Sequence, residues 1–161
     1  MEEKILKIFA ASATRFFSSV ATGPVRLGSP YLRTGTEDPG LDYAAVIGIS
    51  GHYRGRICYT ATRQTLHALL PEMGEETFDE HLCNDLVGEI TNNISGNARE
   101  SLGAGFMISP PVVVPESDRA ARLSSEHLPC YVLPVSWRDH HSRVLVTLQA
   151  QTVHQAAPDA T

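Results

Sequence analysis

One stretch organises the fold of this chain: residues 85–96, which read DLVGEITNNISG. An α-helix turns by about 100° per residue, so it separates the apolar residues of this stretch from its polar ones. The apolar side carries Leu86, Ile90, Ile94 and Ala98, and the polar side carries Asp85, Glu89, Asn92 and Gly96. The stretch therefore predicts an amphipathic helix whose apolar side lies on a core.

The polar side of this helix combines a carboxylate, a carboxamide and a glycine. Glu89 and Asn92 are three residues apart, so they are neighbours on the helix surface, and Gly96 lies one turn beyond Asn92. Glycine inside a helix costs about 1 kcal/mol relative to alanine, and close approach of another backbone is one reason to have it there. A solvated helix face with a tolerated glycine explains the same pattern, and the spacing alone leaves both interpretations open.

Signals on both sides predict the limits of the helix. Thr77 is followed three residues later by Glu80, which is the capping-box pattern and predicts a helix start at this point. Gly103 and Gly105 predict the end of the helix, because glycine readily adopts the left-handed conformation that often follows one. This Gly-x-Gly is too short for a dinucleotide-binding fingerprint and follows a helix rather than a strand.

The sequence before the long helix predicts a first helix, a strand hairpin and a second, short helix. These elements are a helix over residues 3–21, a loop over 24–42 with at most one short strand, strands over 43–50 and 55–62 around a Gly51-His52 turn, and a short helix containing Leu66, Leu69 and Leu70 that Pro71 ends or kinks.

The sequence after the long helix predicts strands at 106–108 and 112–114, broken by Pro110-Pro111 and so at a sheet edge. A polar loop follows over 115–126, then strands over 128–137 and 144–153 connected by residues 139–142. Strands that are grouped apart from helices predict an α+β fold with an antiparallel sheet. We expect one domain over residues 1–153 and a frayed tail over 154–161.

Composition excludes several classes of protein. The chain has 161 residues, 42% of them hydrophobic, and a formal net charge of −5, which argues against nucleic-acid binding through phosphate neutralisation. Its three cysteines, Cys58, Cys83 and Cys130, are far apart and odd in number, which argues against a disulfide framework and a zinc site. The acidic start and the absence of a long apolar run predict no signal peptide and no membrane helix, hence a cytoplasmic protein.

Familiar catalytic motifs are missing. No two histidines stand at i, i+4 on a helix, and His140-His141 are adjacent, so we expect no metal site. The sequence has neither a Gly-x-Ser-x-Gly nucleophile elbow nor a phosphate-binding loop. Asp85 with Glu89 is a possible acid–base pair, but no pocket residues accompany it in the sequence.

The carboxamide of Asn92 offers a different chemistry. An amide both donates and accepts hydrogen bonds, so it can orient a water molecule without bringing negative charge near a phosphoryl group. Catalysis of phosphoryl transfer consists largely of positioning and charge stabilisation. Glu89 would repel phosphoryl oxygens, but farther out it could hold a lysine of a phosphorylated partner.

At these residues the chain resembles the CheX/CheC/FliY phosphatases of bacterial chemotaxis, and CheX most of all. The family motif is Glu-x-x-Asn, often with an Asp or Ser four residues before the Glu, which Glu89, Asn92 and Asp85 match. The resemblance runs from about residue 3 to residue 150. It includes VIGISG at 46–51, Gly55, ICY at 57–59, Met73-Gly74, Gly88 before Glu89, Gly96, and ISPPV at 108–112.

The resemblance implies an α+β fold with two long helices on an antiparallel sheet, and a phosphatase that acts on the phospho-aspartate of a CheY-like response regulator. Asn92 would orient the in-line water and Glu89 would contact the lysine of the regulator. Gly96 would give the partner room, with Asp85 and Asn93 also at the partner-binding surface. Asn93 turns away from Gly96 on the helical wheel, so Asn92 is taken as the working amide.

The resemblance also implies that magnesium belongs to the regulator, that the chain needs no cofactor of its own, and that it forms a homodimer. A single motif is typical of CheX, whereas CheC has two. The sequence departs from the CheX pattern at two places that concern the partner fit and the dimer. The segment from Gly96 to Pro110 is shorter than in CheX, and Pro71 interrupts a helix that is uninterrupted there. The alternative is a non-catalytic module that binds receiver domains in two-component or flagellar signalling.

Overall fold

The computed structural model describes residues 3–33, 40–123 and 128–152. Four helices and eight strands make up this part of the chain. In chain order they are α1 Glu3–Val20, β1 Val25–Leu27, β2 Tyr31–Arg33, β3 Tyr43–Gly51, β4 Tyr53–Ala61, α2 Arg63–Glu72, α3 Glu80–Leu102, β5 Phe106–Ile108, β6 Val112–Val113, α4 Glu116–Leu123, β7 Cys130–Trp137 and β8 His140–Ala150.

The strands form one antiparallel sheet in the order β1-β7-β8-β4-β3-β5, with β2 also paired to β7 and β6 to β3. The long helices α1 and α3 lie on one face of this sheet, so the predicted α+β fold is confirmed. Successive side chains of a strand alternate between the two faces. In β3, Ala45 and Ile47 belong to the main core with the helices, while Ala44 belongs to a smaller cluster with Leu123 of α4.

The predicted hairpin is confirmed as the centre of the sheet. β3 and β4 pair from Tyr43 with Ala61 to Ile49 with Gly55, and His52 lies at the tip between them. Strand β4 is flanked on its other side by β8 along its whole length. Because β3 and β4 are hydrogen-bonded on both sides, they form the rigid floor on which α3 lies.

Helix α3 is positioned by its caps and by α1. The Asp79 carboxylate accepts a hydrogen bond from the Leu82 amide at 2.8 Å, and Gly103, with φ 89°, ends the helix. The guanidinium of Arg15 in α1 lies 2.6 Å from the Glu100 carboxylate. Ile90 and Ile94 are fully buried in the main core, so their packing fixes which side of α3 faces outward.

The capping-box prediction was wrong in its residues. Asp79, not Thr77, is the N-cap of α3, and the Glu80 carboxylate accepts a hydrogen bond from the Tyr43 hydroxyl instead of closing a capping box. The carboxylate of aspartate caps as well as a hydroxyl. Two cap-forming residues stand within three positions here, and the tertiary contact of Glu80 decides between them.

Three other predicted boundaries were wrong. Residues 24–33 contain two short strands rather than at most one, and both pair with β7. The segment predicted as a loop over 115–126 contains α4, of which Arg119 and Leu123 are the buried residues. The β7–β8 turn consists of Arg138 and Asp139, so residues 140–142 belong to β8. The predicted tail, 154–161, lies outside the described residues.

Pro71 lies inside the last turn of α2, which ends one residue later at Glu72. All three cysteines are buried free thiols. None of the helices in the described ranges is long and apolar enough to cross a membrane.

Candidate active site

The outward side of α3 carries the predicted pair. Glu89 and Asn92 are both exposed, whereas Ile90, Thr91 and Ile94 around them are buried. The Thr91 hydroxyl donates to the Val87 carbonyl oxygen at 2.7 Å, so this polar residue is satisfied inside the core. The sequence-predicted division of the helix into apolar and polar sides therefore holds at Glu89 and Asn92.

Hydrogen bonding distinguishes the two adjacent asparagines. The Asn93 side-chain amide donates to the Glu89 carbonyl oxygen, one turn back, at 2.9 Å. Within the described part of the chain, neither the Asn92 amide nor the Glu89 carboxylate has a hydrogen-bond or ion-pair partner. The amide of Asn92 thus keeps its donors and its acceptor for a molecule outside the chain, while a donor of Asn93 is already used.

Asp85 lies one turn before Glu89 on the same side of the helix. Its carboxylate is 3.3 Å from the imidazole of His81, and both side chains are mostly exposed. This pair is an ion pair only when His81 is protonated. Asp85, Glu89 and Asn92 therefore form a continuous exposed strip with two carboxylates, which is electrostatically suited to a cationic group on a partner.

Gly96 continues the strip, and Gly88 does not. A Cβ atom at Gly96 would have no neighbouring heavy atom within 4 Å, so the surface there is open. Gly88 is buried, and a Cβ there would touch the Pro111 ring at 3.9 Å. Glycine at position 96 is consequently not required by the packing of this chain, in agreement with a role toward a partner.

The strip lies on the surface of the helix and is not enclosed. Four surface cavities formed by described residues are lined by neither Glu89 nor Asn92. Among the described residues no group of three or more His, Cys, Asp or Glu side chains is arranged to hold a metal ion. If the strip takes part in a reaction, the remaining groups must come from a second macromolecule.

A long helix that packs on an antiparallel sheet and presents a polar side outward is the arrangement of the CheC/CheX-like class of proteins. A sequence model of the family "Chemotaxis phosphatase CheX" matches residues 43–136, which include the hairpin, α3 and most of β7. This match covers more than half of the chain. The chain therefore belongs to the CheX family.

Solved structures agree with this assignment. CheX of Desulfovibrio desulfuricans is 27% identical, with a TM-score of 0.73 over 92% of this chain and 99% of that one. CheX of Vibrio vulnificus is 22% identical, with a TM-score of 0.71 over 91% and 99%. The CheX–CheY–BeF3–Mg complex of Borrelia burgdorferi shows 21% sequence identity, with a TM-score of 0.70 over 90% of this chain and 97% of that chain. No curated protein sequence matches the chain.

Proposed function

We propose that this protein hydrolyses the phospho-aspartate of a CheY-like receiver domain and that the α3 strip is the surface that does so. The observation that carries the proposal is the exposed Glu89–Asn92 pair, free of partners within the described residues, on the central helix of a CheX-family domain. The Borrelia structure, which has this fold, contains CheX together with CheY, BeF3 and Mg²⁺. It supports a receiver domain as the partner.

In this proposal Asn92 acts on water. Its amide oxygen accepts a hydrogen bond from the water, and its NH2 group donates to an oxygen of the phosphoryl group, so the water oxygen is aimed at phosphorus. An amide is suited to this position because it is neutral and adds no repulsion to the phosphoryl oxygens. Holding the water in line removes part of the entropic cost of the reaction.

The neighbours of Asn92 hold the partner. Glu89 contacts the active-site lysine of the receiver through a charge-assisted hydrogen bond. The open surface at Gly96 admits the receiver backbone, and Asp85 and Asn93 lie at the edge of the same contact. Magnesium is supplied by the receiver, so this chain contributes side chains and no cofactor.

A homodimer is a further part of the proposal. Strands β5 and β6 lie at the edge of the sheet next to β3, and Met107 and Val112 there are about half exposed. An unpaired strand edge is a template for pairing with a second chain. The mass of the protein in solution tests this part.

The deciding experiment follows phosphate loss from a phosphorylated CheY-like receiver with and without the full chain. A phosphatase accelerates the loss at catalytic concentrations of the chain. If the chain binds the receiver without accelerating the loss for any of several receivers, it is a non-catalytic binding module and the enzymatic proposal is wrong.

Replacing Glu89 is expected to weaken receiver binding and to slow hydrolysis. In Glu89→Ala the lysine of the receiver loses its partner, so binding should fall by about ten- to a hundredfold, since charge-assisted bonds contribute about 1.5–3 kcal/mol, and the hydrolysis rate at saturation should fall as well. Fluorescence titration and phosphate release measure the two effects. Asp85→Ala is the matched control, since it removes a carboxylate of the same helix side and should change either quantity much less.

Replacing Gly96 should separate stability from function. Gly96→Gln puts a good helix former at an open position, so the free energy of unfolding should rise by about 1 kcal/mol. The same side chain would occupy the space that the receiver needs, so receiver binding should fall by about tenfold or more. Urea unfolding and the titration measure the two quantities. Unchanged receiver binding would contradict the role given to Gly96.

A further inference from the structure

A second surface feature lies away from the α3 strip, between the start of β3, the start of α3 and helix α4. It is a cavity of about 670 Å³. Its walls include Asp42, Tyr43 and Glu80 on one side and Glu116 and Arg119 of α4 on the other. Neither Glu89 nor Asn92 lines it, so a role of this cavity is independent of the proposed phosphatase site.

The cavity is lined by a buried cation, Arg119, that forms no ion pair with the carboxylates of the described residues. Arg119 is only 5% exposed, and within the described residues its guanidinium makes one hydrogen bond, from Nη2 to the neutral carbonyl oxygen of Asp42 at 3.1 Å. Its Nε is buried without a partner. No carboxylate in the described ranges forms an ion pair with it. A buried charge without a counter-charge costs several kcal/mol.

The nearby carboxylates of the described residues form no ion pair with Arg119, and two of them have other partners. Asp42 accepts a hydrogen bond from the Arg63 amide at 2.7 Å, and Glu80 accepts one from the Tyr43 hydroxyl and lies 3.7 Å from the Arg63 guanidinium. Burial, together with the hydrogen bond to Glu80, raises the pKa of the Tyr43 phenol, so that it stays a donor. The third carboxylate, Glu116, is exposed at the rim.

We propose that this cavity binds a small carboxylate compound whose oxygens face the guanidinium of Arg119. A guanidinium pairs with a carboxylate through two parallel hydrogen bonds. A singly charged carboxylate is preferred over phosphate. The lining carries three carboxylates, Asp42, Glu80 and Glu116, against the two guanidiniums of Arg63 and Arg119, and this net negative charge repels a doubly charged anion more strongly than a singly charged one.

Thermal unfolding of the full chain tests the proposal. The probes are sodium propionate, sodium benzoate and sodium phosphate, each compared with sodium chloride at the same ionic strength. A ligand that binds only the folded state raises the melting temperature in a saturable way, by about 3 °C or more here. We expect this rise with at least one of the two carboxylates and a smaller one, or none, with phosphate.

Two variants separate binding from folding. Arg119→Met keeps an unbranched apolar stem but removes the buried charge, so its melting temperature without ligand should equal or exceed that of the wild type, while the carboxylate-induced rise is lost. Glu116→Gln changes only the exposed rim and should tighten carboxylate binding by about threefold, because one repelling charge is gone.

Three results would overturn the proposal: no carboxylate raises the melting temperature, phosphate raises it more than both carboxylates, or Arg119→Met keeps the rise. A fourth result would also reject a free carboxylate ligand. If no probe shifts the wild type but Arg119→Met weakens receiver binding, the cavity accepts an acidic side chain of the receiver instead. The melting experiments contain no receiver, so they do not depend on the phosphatase proposal.

Discussion

Asn92→Ala is expected to return phosphate loss from the receiver to the rate of the receiver alone. A water held in line by one amide, together with the orientation it imposes, accounts for about a hundredfold acceleration, which corresponds to about 2.7 kcal/mol of barrier. Truncation to alanine removes both the acceptor for the water and the donor to the phosphoryl group. Single-turnover phosphate release with the chain in excess measures this loss directly.

Binding should largely survive in Asn92→Ala, because Glu89 and the surface around Gly96 are unchanged. The side chain is exposed and has no partner in the described part of the chain, so folding stability should change by about 0.5 kcal/mol at most. A large loss of receiver affinity in this variant, with the rate at saturation retained, would show that Asn92 is a binding residue and not one that positions water.

Asn93→Ala provides the matched control. It removes the same carboxamide one position later, where the amide is already bonded to the Glu89 carbonyl oxygen. We expect nearly unchanged hydrolysis from this variant. Asn92→Asp adds a second test, because it preserves the shape of the side chain but brings a negative charge toward the phosphoryl oxygens, and it should be about as slow as Asn92→Ala. If Asn93→Ala instead abolishes hydrolysis, the working amide has been assigned to the wrong residue.

Much of the fold could be predicted because its central elements have unambiguous local patterns. The apolar positions 86, 90, 94 and 98 recur every four residues, which predicts α3, and all four are buried. The hairpin has an apolar, β-prone strand before Gly51-His52 and a strand with Ile57, Tyr59 and Ala61 on one face after it, and the observed register keeps Ile47 opposite Ile57. In both the helix and the hairpin, residues close together in the sequence indicate the element, because its apolar residues recur at the spacing that places them on one buried side.

Elements whose stability comes from distant contacts could not be predicted. Strands β1 and β2 have three residues each and exist because β7 supplies their hydrogen bonds. Helix α4 has Leu123 as its one large apolar residue, and its burial depends on Ala44, Cys58 and Leu145 from three strands. The sequence signal for α4 is the four-residue spacing of Arg119 and Leu123 after Pro115. This signal does not predict a helix, because an arginine in a sequence is not expected to be a core residue.

The positions of the candidate site residues on α3 were predicted more completely than the structure around them. Glu89, Asn92 and Gly96 lie where a helix must place them once α3 is oriented by Ile90 and Ile94. The Asn93 hydrogen bond could not be predicted, because an asparagine on a helix surface is equally able to point into solvent. The cavity at Arg119 was missed entirely, since it is assembled from segments about 75 residues apart in sequence.

Gly55→Ala adds a single methyl group, and we expect it to lower the free energy of unfolding more than any other substitution named for this chain. Gly55 has φ +151°, a conformation that residues with side chains rarely adopt. It lies where β4 pairs with β8, opposite Leu148. A Cβ atom there would lie 2.8 Å from the Thr147 carbonyl carbon and closer still to its oxygen, against about 3.5–4.0 Å for unstrained contact.

The clash cannot be relieved cheaply, because the atoms in the way are backbone atoms of a strand that is paired on both sides. β8 is hydrogen-bonded to β4 and to β7, so moving Thr147 disturbs two ladders. Backbone strain and overpacking each contribute about 1–3 kcal/mol, so the free energy of unfolding should fall by about 3 kcal/mol or more. Urea unfolding should show a lower midpoint with an unchanged slope.

Gly74→Ala distinguishes the clash from the conformational cost. Gly74 also has a positive φ, +84°, but a Cβ there would meet nothing within 4 Å. Its substitution should therefore cost only the left-handed conformation itself, about 1–2 kcal/mol. If the two variants lose the same stability, the close approach of Thr147 is absorbed by a small shift of β8, and the central hairpin is less rigid than its double pairing indicates.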